Sequence, residues 1–150
     1  MKVYKISSKT LLIIPINDES TKIIEEDNIF IEHNNAMTII DYNCKIHGSS
    51  YLGRFESSKL LLGINNKLPI IIEESNDFIF FPTNSSRNSN CCWIAYNNIG
   101  NYIEFRNKVL ITFKNEQQFP INISYNSFEK QIVKTNKLIM INKFQKNLIK

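Results

Sequence analysis

The chain has 150 residues, 43% of them hydrophobic, with a formal charge of +4 at pH 7. This is about one domain's length with enough apolar material for a core, which excludes a disordered segment and predicts one autonomous unit over 1–150. No apolar run approaches the roughly 18 residues of a membrane span, and the run from Leu11 to Ile16 is too short and too far in for a signal peptide, so the chain reads as cytosolic with no membrane partner.

Val3 to Ile6 and Thr10 to Ile16 read as strands around a Ser7-Ser8-Lys9 turn. Thr21 to Glu26 and Asn28 to Glu32 continue a β-meander across Asp27 and Asn28. The texture changes at Ala36. Met37, Ile40 and Cys44 recur at helical spacing and Gly48 interrupts, which predicts two short helices over 36–46 and 49–62. Ser49 and Ser50 are N-cap candidates for the second helix, and Gly63 suits its C-cap. Leu60, Leu61 and Leu62 are expected to pack onto the sheet. After a turn at 65–67, strands are predicted at Pro69 to Glu73, 78–82 and 91–96. The last two hold up a small polar finger, Thr83 to Asn90, whose only charge is Arg87. Asn97 to Asn101 reads as a turn containing Gly100, and Tyr102 to Phe105 pairs with Val109 to Phe113 as a hairpin. Asn115 to Gln118 is a further turn and Ile121 to Ser124 a short strand. A last helix is expected from about Asn126, with Glu129 completing a variant capping box. Phe128, Ile132, Thr135 and Ile139 share one of its faces, and Lys130, Lys134 and Lys137 another. The fold class expected is α+β: a single domain, mainly antiparallel β-sheet, with two or three helices, one of them C-terminal and basic over 126–150.

Charge is placed unevenly. Residues 1–125 carry 12 basic and 13 acidic groups, whereas 126–150 carries six lysines against Glu129 alone. A basic C-terminal face favours polyanions such as nucleic acid. Ile, Asn and Lys supply 62 of the 150 residues, all from A/T-rich codons, so position counts for more than lysine number, and the three arginines count most. Cys44, Cys91 and Cys92 are odd in number with two adjacent, a poor disulfide framework, and read as small buried hydrophobes.

Catalysis is not expected. Gly48-Ser49-Ser50-Tyr51-Leu52-Gly53 misses the Gly-x-Ser-x-Gly spacing of a nucleophile elbow by one residue. Neither His33 nor His47 recurs at metal-ligand spacing, and four glycines build no phosphate-cradling loop. No metal or cofactor is implied.

Polar groups suited to binding remain. Ser49, Ser50 and Tyr51 can donate to a phosphate from a helix start, where free N–H groups and the dipole favour an anion. Arg54, one turn on, can follow the same backbone or form a surface salt bridge. Arg87, among Asn84, Ser85 and Ser86, is either an ordinary loop residue or a probe of a narrow A·T-rich minor groove, whose negative potential draws guanidinium groups in. Lys130, Lys134 and Lys137 would add attraction, and Trp93 reads as core.

Three segments together resemble the competence transcription factor family, ComK: Gly48 through Arg54, Phe80 through Ser86 leading into Cys91 and Trp93, and Ile123 through Gln131. The similarity covers roughly residues 20–145. It implies a DNA-binding activator of genes for DNA uptake and recombination. Such a protein binds paired A/T-rich boxes of double-stranded DNA, mainly through the minor groove, as dimers that assemble in pairs. The setting implied is the bacterial cytoplasm and nucleoid, with transcription and proteolysis-adaptor partners. Two departures stand out. Cys92 occupies the position before the tryptophan where the family usually has glycine. Family members also continue beyond the position of Lys150, with a segment associated with adaptor-guided proteolysis and full activation. The rival expectations are a shortened paralogue that modulates a full-length relative as a protein-interaction module, and a single-stranded nucleic-acid binder.

Overall fold

A computed structural model describes residues 2–149; Lys150, the end of the predicted basic helix, lies outside the described residues. The chain folds as α+β in a single domain. Among the described residues nine strands, all paired antiparallel, form two sheets, and three helices pack on them. Strands β1 (Thr10–Asn17), β2 (Ser20–Glu25), β3 (Asn28–Glu32), β4 (Ile70–Glu73), β5 (Phe78–Pro82) and β6 (Trp93–Ala95) build a six-stranded sheet in the order β3-β2-β1-β6-β5-β4. Strands β7 (Ile99–Phe105), β8 (Lys108–Phe113) and β9 (Gln118–Ile121) form the second sheet in sequence order. The helices are α1 (Ala36–Ile46), α2 (Tyr51–Leu62) and α3 (Tyr125–Ile149).

Successive side chains of a strand point to opposite faces. Here both faces are covered, which is why the central strands read as continuous apolar runs rather than alternating ones. Ile13, Ile23, Phe80, Trp93 and Ala95 enter one core, shared with Ile39, Ile40 and Cys44 of α1. Their neighbours Leu12, Ile24, Phe81 and Ile94 enter a second core, closed by Val109, Ile111 and Phe113 of β8 and by Phe128 of α3. A smaller cluster of Leu62, Leu68 and Leu138 ties α2 to α3. Trp93 is fully buried, as its strand position predicts. Burial also pushes the Cys91 thiol up to about 11 and the Cys44 thiol up to about 12, consistent with apolar packing for both.

Several predicted elements shift, each for a local reason. Val3 to Ile6 is not a strand. It runs extended over α1, where the buried Asn43 side chain stands in for a neighbouring strand by accepting from Ile6 N at 2.9 Å and donating to Tyr4 O at 2.9 Å. The predicted turn at 97–101 gives way to a 3-10 turn, Tyr96–Asn98, and Gly100 lies inside β7. A Cβ on Gly100 would come within 3.0 Å of Thr112 O, so glycine permits the close approach of β8 at this register shift. The last strand is Gln118–Ile121 rather than 121–124, because the chain turns at Ile123 to enter α3. Ser124 caps that helix in place of Asn126, its Oγ accepting from Ser127 N at 3.1 Å. On α3 the buried positions are Phe128, Gln131, Thr135 and Leu138, a face slightly rotated from the predicted one, with Ile132 and Ile139 at its margin. Leu60 does not reach the sheet and is 82% exposed, while Leu62 is buried.

Candidate nucleic-acid interface

The start of α2 and the finger meet. Ser50 is the α2 N-cap, its Oγ accepting from Gly53 N at 2.9 Å. A Cβ on Gly53 would lie 2.5 Å from Ser49 Oγ, so a larger residue there would displace the Ser49 hydroxyl. The Tyr51 ring packs edge-on against Trp93 at 6.1 Å, and its hydroxyl donates to Ser86 Oγ at 2.9 Å. Residues 35 positions apart are thereby joined in one surface.

The finger holds itself. Thr83 N donates to Cys92 O at 2.9 Å and Cys92 N to Thr83 Oγ1 at 3.0 Å, which pins the two ends together. Asn88 N donates to Ser85 O and Cys91 N to Asn88 O, so the tip is two consecutive turns. Arg87 is exposed on it, while Asn84 and Ser86 are half-buried. The Cys92 position is half-buried at the finger's root, with its thiol raised by burial.

The third motif reaches the same place through α3. Gln131 Nε2 donates to Pro82 O at 2.7 Å, just before the finger, and to Lys67 O at 3.0 Å. Lys134 Nζ donates to Asn66 O at 2.9 Å and lies beside Lys67 O. Desolvation, with Lys67 and Lys130 nearby, lowers the Lys134 ammonium from its ordinary value. A cleft of about 340 Å³ lies between Tyr51, Ser86, Arg87 and Lys67. Lys67 is therefore a member of the cationic cluster that sequence reasoning missed. It lies in a turn far from the other lysines in sequence, and only folding brings it to Lys130 and Lys134.

Not every predicted site residue joins this surface. The Arg54 guanidinium turns toward β4, its Nη2 donating to His47 O and Ile72 O at 3.3 Å each, and it lines a separate cleft with Glu73, Glu74 and Lys146. Asp41 also occupies the start of α2. Its Oδ1 accepts from Tyr51 N at 2.9 Å, and that bond, with Lys45 alongside, holds its carboxyl below the usual aspartate range. The contribution of this cap is present above the ordinary aspartate range and is lost as pH falls through the lowered value. Lys130 and Lys137 are exposed on α3. Among the described residues no cluster of His, Cys, Asp or Glu could hold a metal ion, and no helix is long and apolar enough to cross a membrane.

The Tyr51–Ser86 hydrogen bond is testable as a coupling. Tyr51→Phe and Ser86→Ala are each expected to cost about 0.5–1.5 kcal/mol in urea unfolding, and the double variant no more than either. Strict additivity would show that the finger is held by other contacts.

Among known proteins, the family model described as ComK protein matches residues 1–147. The competence transcription factor of Bacillus subtilis (strain 168) is 33% identical over 140 residues, covering 90% of this chain and 72% of that protein. No solved structure matches.

Proposed function

The chain belongs to the ComK family, and from that premise we propose that it is a DNA-binding activator of competence genes, reading paired A/T-rich boxes mainly through the minor groove. The observation that carries this reading is the joining of three sequence motifs, Tyr51 to Ser86 and Gln131 to Pro82, with Arg87 on a braced finger sharing a cleft with Lys67, whose turn Lys134 also holds. A guanidinium on a rigid loop suits a narrow groove, where negative potential is strongest. The flanking lysines supply phosphate attraction and salt dependence without sequence preference. Ser49, Ser50, Tyr51, Asn84, Ser85 and Ser86 shape and present the finger, Lys137 extends the attraction along α3, and Arg54 acts from the other side of α2 by holding the α1–α2 turn to β4. The protein acts in the bacterial cytoplasm on the nucleoid, as dimers that pair on DNA, with transcription and proteolysis-adaptor partners. The unit that does this spans the whole of 1–150.

A gel-shift series with a duplex carrying two A/T boxes, against a G/C control and across salt, tests the reading. Arg87→Ala is expected to bring the A/T preference close to unity, at a cost of about 1–3 kcal/mol on the A/T duplex. Lys130→Ala is expected to weaken both duplexes alike and reduce the salt slope by about one. A shift indifferent to A/T content sinks groove reading. No shift below about 100 mM salt, where phosphate contacts are strong, favours the second reading, a protein-interaction module that modulates another member of the family. That reading draws on the exposed Val133, Met140, Phe144 and Leu148 along α3, an apolar stripe available to another protein.

A further inference from the structure

Each sheet ends in two edge strands, and three of these edges are blunted. β9 carries Pro120, β7 is broken by the register shift at Gly100, and β4 is short, shifts register after Ile71 and has its Ile72 carbonyl covered by the Arg54 guanidinium. β3 has none of these devices. Asn28–Glu32 pairs with β2 residue for residue, without proline, lysine or bulge. The strand is also fixed at both ends: Asp27 N donates to Gln117 Oε1 at 3.0 Å, and Thr21 Oγ1 donates to Asn34 O at 2.7 Å. On one face Phe30 packs edge-on against Tyr4 at 5.6 Å. On the other, Ile29 and Ile31 are 52% and 56% exposed, although Ile24 beside Ile29 enters the second core.

The register decides which backbone groups stay free. The two-residue turn at Glu26 and Asp27 closes on the hydrogen-bonded pair of Glu25 and Asn28, and such pairs alternate along an antiparallel ladder. Phe30 and Glu32 therefore bond to β2, and the N–H and C=O groups of Ile29 and Ile31 point outward from the sheet. No strand among the described residues answers them. A second β3, laid antiparallel about a two-fold axis at Phe30, does. Ile29 then exchanges both backbone bonds with the partner's Ile31, and Ile31 with the partner's Ile29. The same register sets Asp27 opposite the partner's His33 and Asn28 opposite the partner's Glu32, so no like charges stand directly opposite. Moving the axis to Ile29 sets Glu32 opposite the partner's Glu26, and moving it to Ile31 sets Phe30 opposite the partner's Glu32. Of these registers only the axis at Phe30 joins all the isoleucines and sets acid against base.

We propose that β3 is a self-association edge, at which two copies of this chain join their six-stranded sheets into one continuous sheet through Ile29 and Ile31. The edge supplies the dimer invoked in the proposed function and rests on that reading for nothing else, since it needs neither DNA nor the finger. A five-residue edge is short for a permanent dimer, so a dissociation constant on the order of 10 µM is expected.

Sedimentation equilibrium on the full chain without DNA, from about 1 to 200 µM, should show monomer and dimer in exchange. Ile31→Lys sets a cation beside Lys22 and against the partner's Ile29, and should raise the dissociation constant about tenfold or more. The side chain is half exposed, so the variant should keep the parent's urea midpoint. The register is read by oxidising Asn28→Cys and Glu32→Cys and running non-reducing gels, with the parent as control for Cys44, Cys91 and Cys92. The two positions lie too far apart along the strand for a bond within one chain or between like positions. Neither variant alone should cross-link, therefore, and an equal mixture should. A chain that stays monomeric throughout, a dimer indifferent to Ile31→Lys, or a single cysteine variant that cross-links as well as the mixture overturns the edge. If the dimer forms and responds as expected while no A/T duplex binds, groove reading falls and the edge stands. If Ile31→Lys loses the shift of a paired-box duplex and keeps that of a single box, the edge is the dimer that acts on DNA.

Discussion

Phe128→Ala is expected to cost about 3–5 kcal/mol and to lower the melting temperature by on the order of 10 °C. Phe128 is fully buried in the first turns of α3. Its ring lies 5.5 Å from Phe81 of the six-stranded sheet and 4.7 Å from Tyr102 of the three-stranded one, centroid to centroid. Truncation removes the ring that touches both, and leaves a cavity between two sheets that are not hydrogen-bonded into one. Phe128→Leu keeps most of the volume and should lose less than half as much. Urea unfolding checks both. A loss below about 1 kcal/mol for the alanine variant would mean that the two sheets close over the gap and that Phe128 is not what joins them. Because domain stability is about 5–15 kcal/mol in all, the alanine variant should remain folded at room temperature and unfold on modest warming.

Asn43→Ala is expected to cost about 2–5 kcal/mol, with the damage concentrated at the N-terminal segment. Asn43 is wholly buried and spends each polar atom on backbone. Its Oδ1 accepts from Ile6 N, and its Nδ2 donates to Tyr4 O at 2.9 Å and to Ile39 O at 2.8 Å. Alanine leaves Ile6 N–H and Tyr4 C=O buried without partners, each a penalty of about 1–3 kcal/mol. Tyr4 in turn donates to Glu25 Oε2 and meets Thr10 Oγ1, so the loss should propagate to the β1–β2 edge. Hydrogen exchange is the sharper measurement, since the Ile6 amide should lose protection well before the core of β1. An Ile6 amide as protected in the variant as in the parent would show that water or another group replaces Asn43. Asn43→Asp is the discriminating companion: it can still accept from Ile6 N, but it cannot donate to Tyr4 O and it buries a charge.

Legibility differed by the range of the interaction. The α1 and α2 boundaries followed from local signals: helical spacing after Ala36, the Ser50 hydroxyl that caps the first turn, and Gly63, which takes φ 69° where a side chain would be strained. The hairpin across Arg106 and Asn107 was legible too, although the residues there adopt positive φ without a glycine. Val3 to Ile6 was misread because an extended apolar segment looks the same whether a strand or an asparagine side chain answers its backbone. The α3 face was misread because Gln131, a polar residue, holds a core position for the sake of two carbonyls on other elements. The helix start was read at Asn126 because Glu129 follows three residues on, a spacing Ser124 lacks, yet Ser124 Oγ makes the cap.

The chain's amino acids determined by themselves the class of the fold and most strands and helices, because these depend on neighbours within about a turn of chain. Only the tertiary structure decided that Tyr51 braces the finger through Ser86, that Lys67 joins Lys130 and Lys134, and that Arg54 turns away toward β4. Those relations join residues tens of positions apart. They are set by which sheet face each strand buries, and no local propensity encodes that choice.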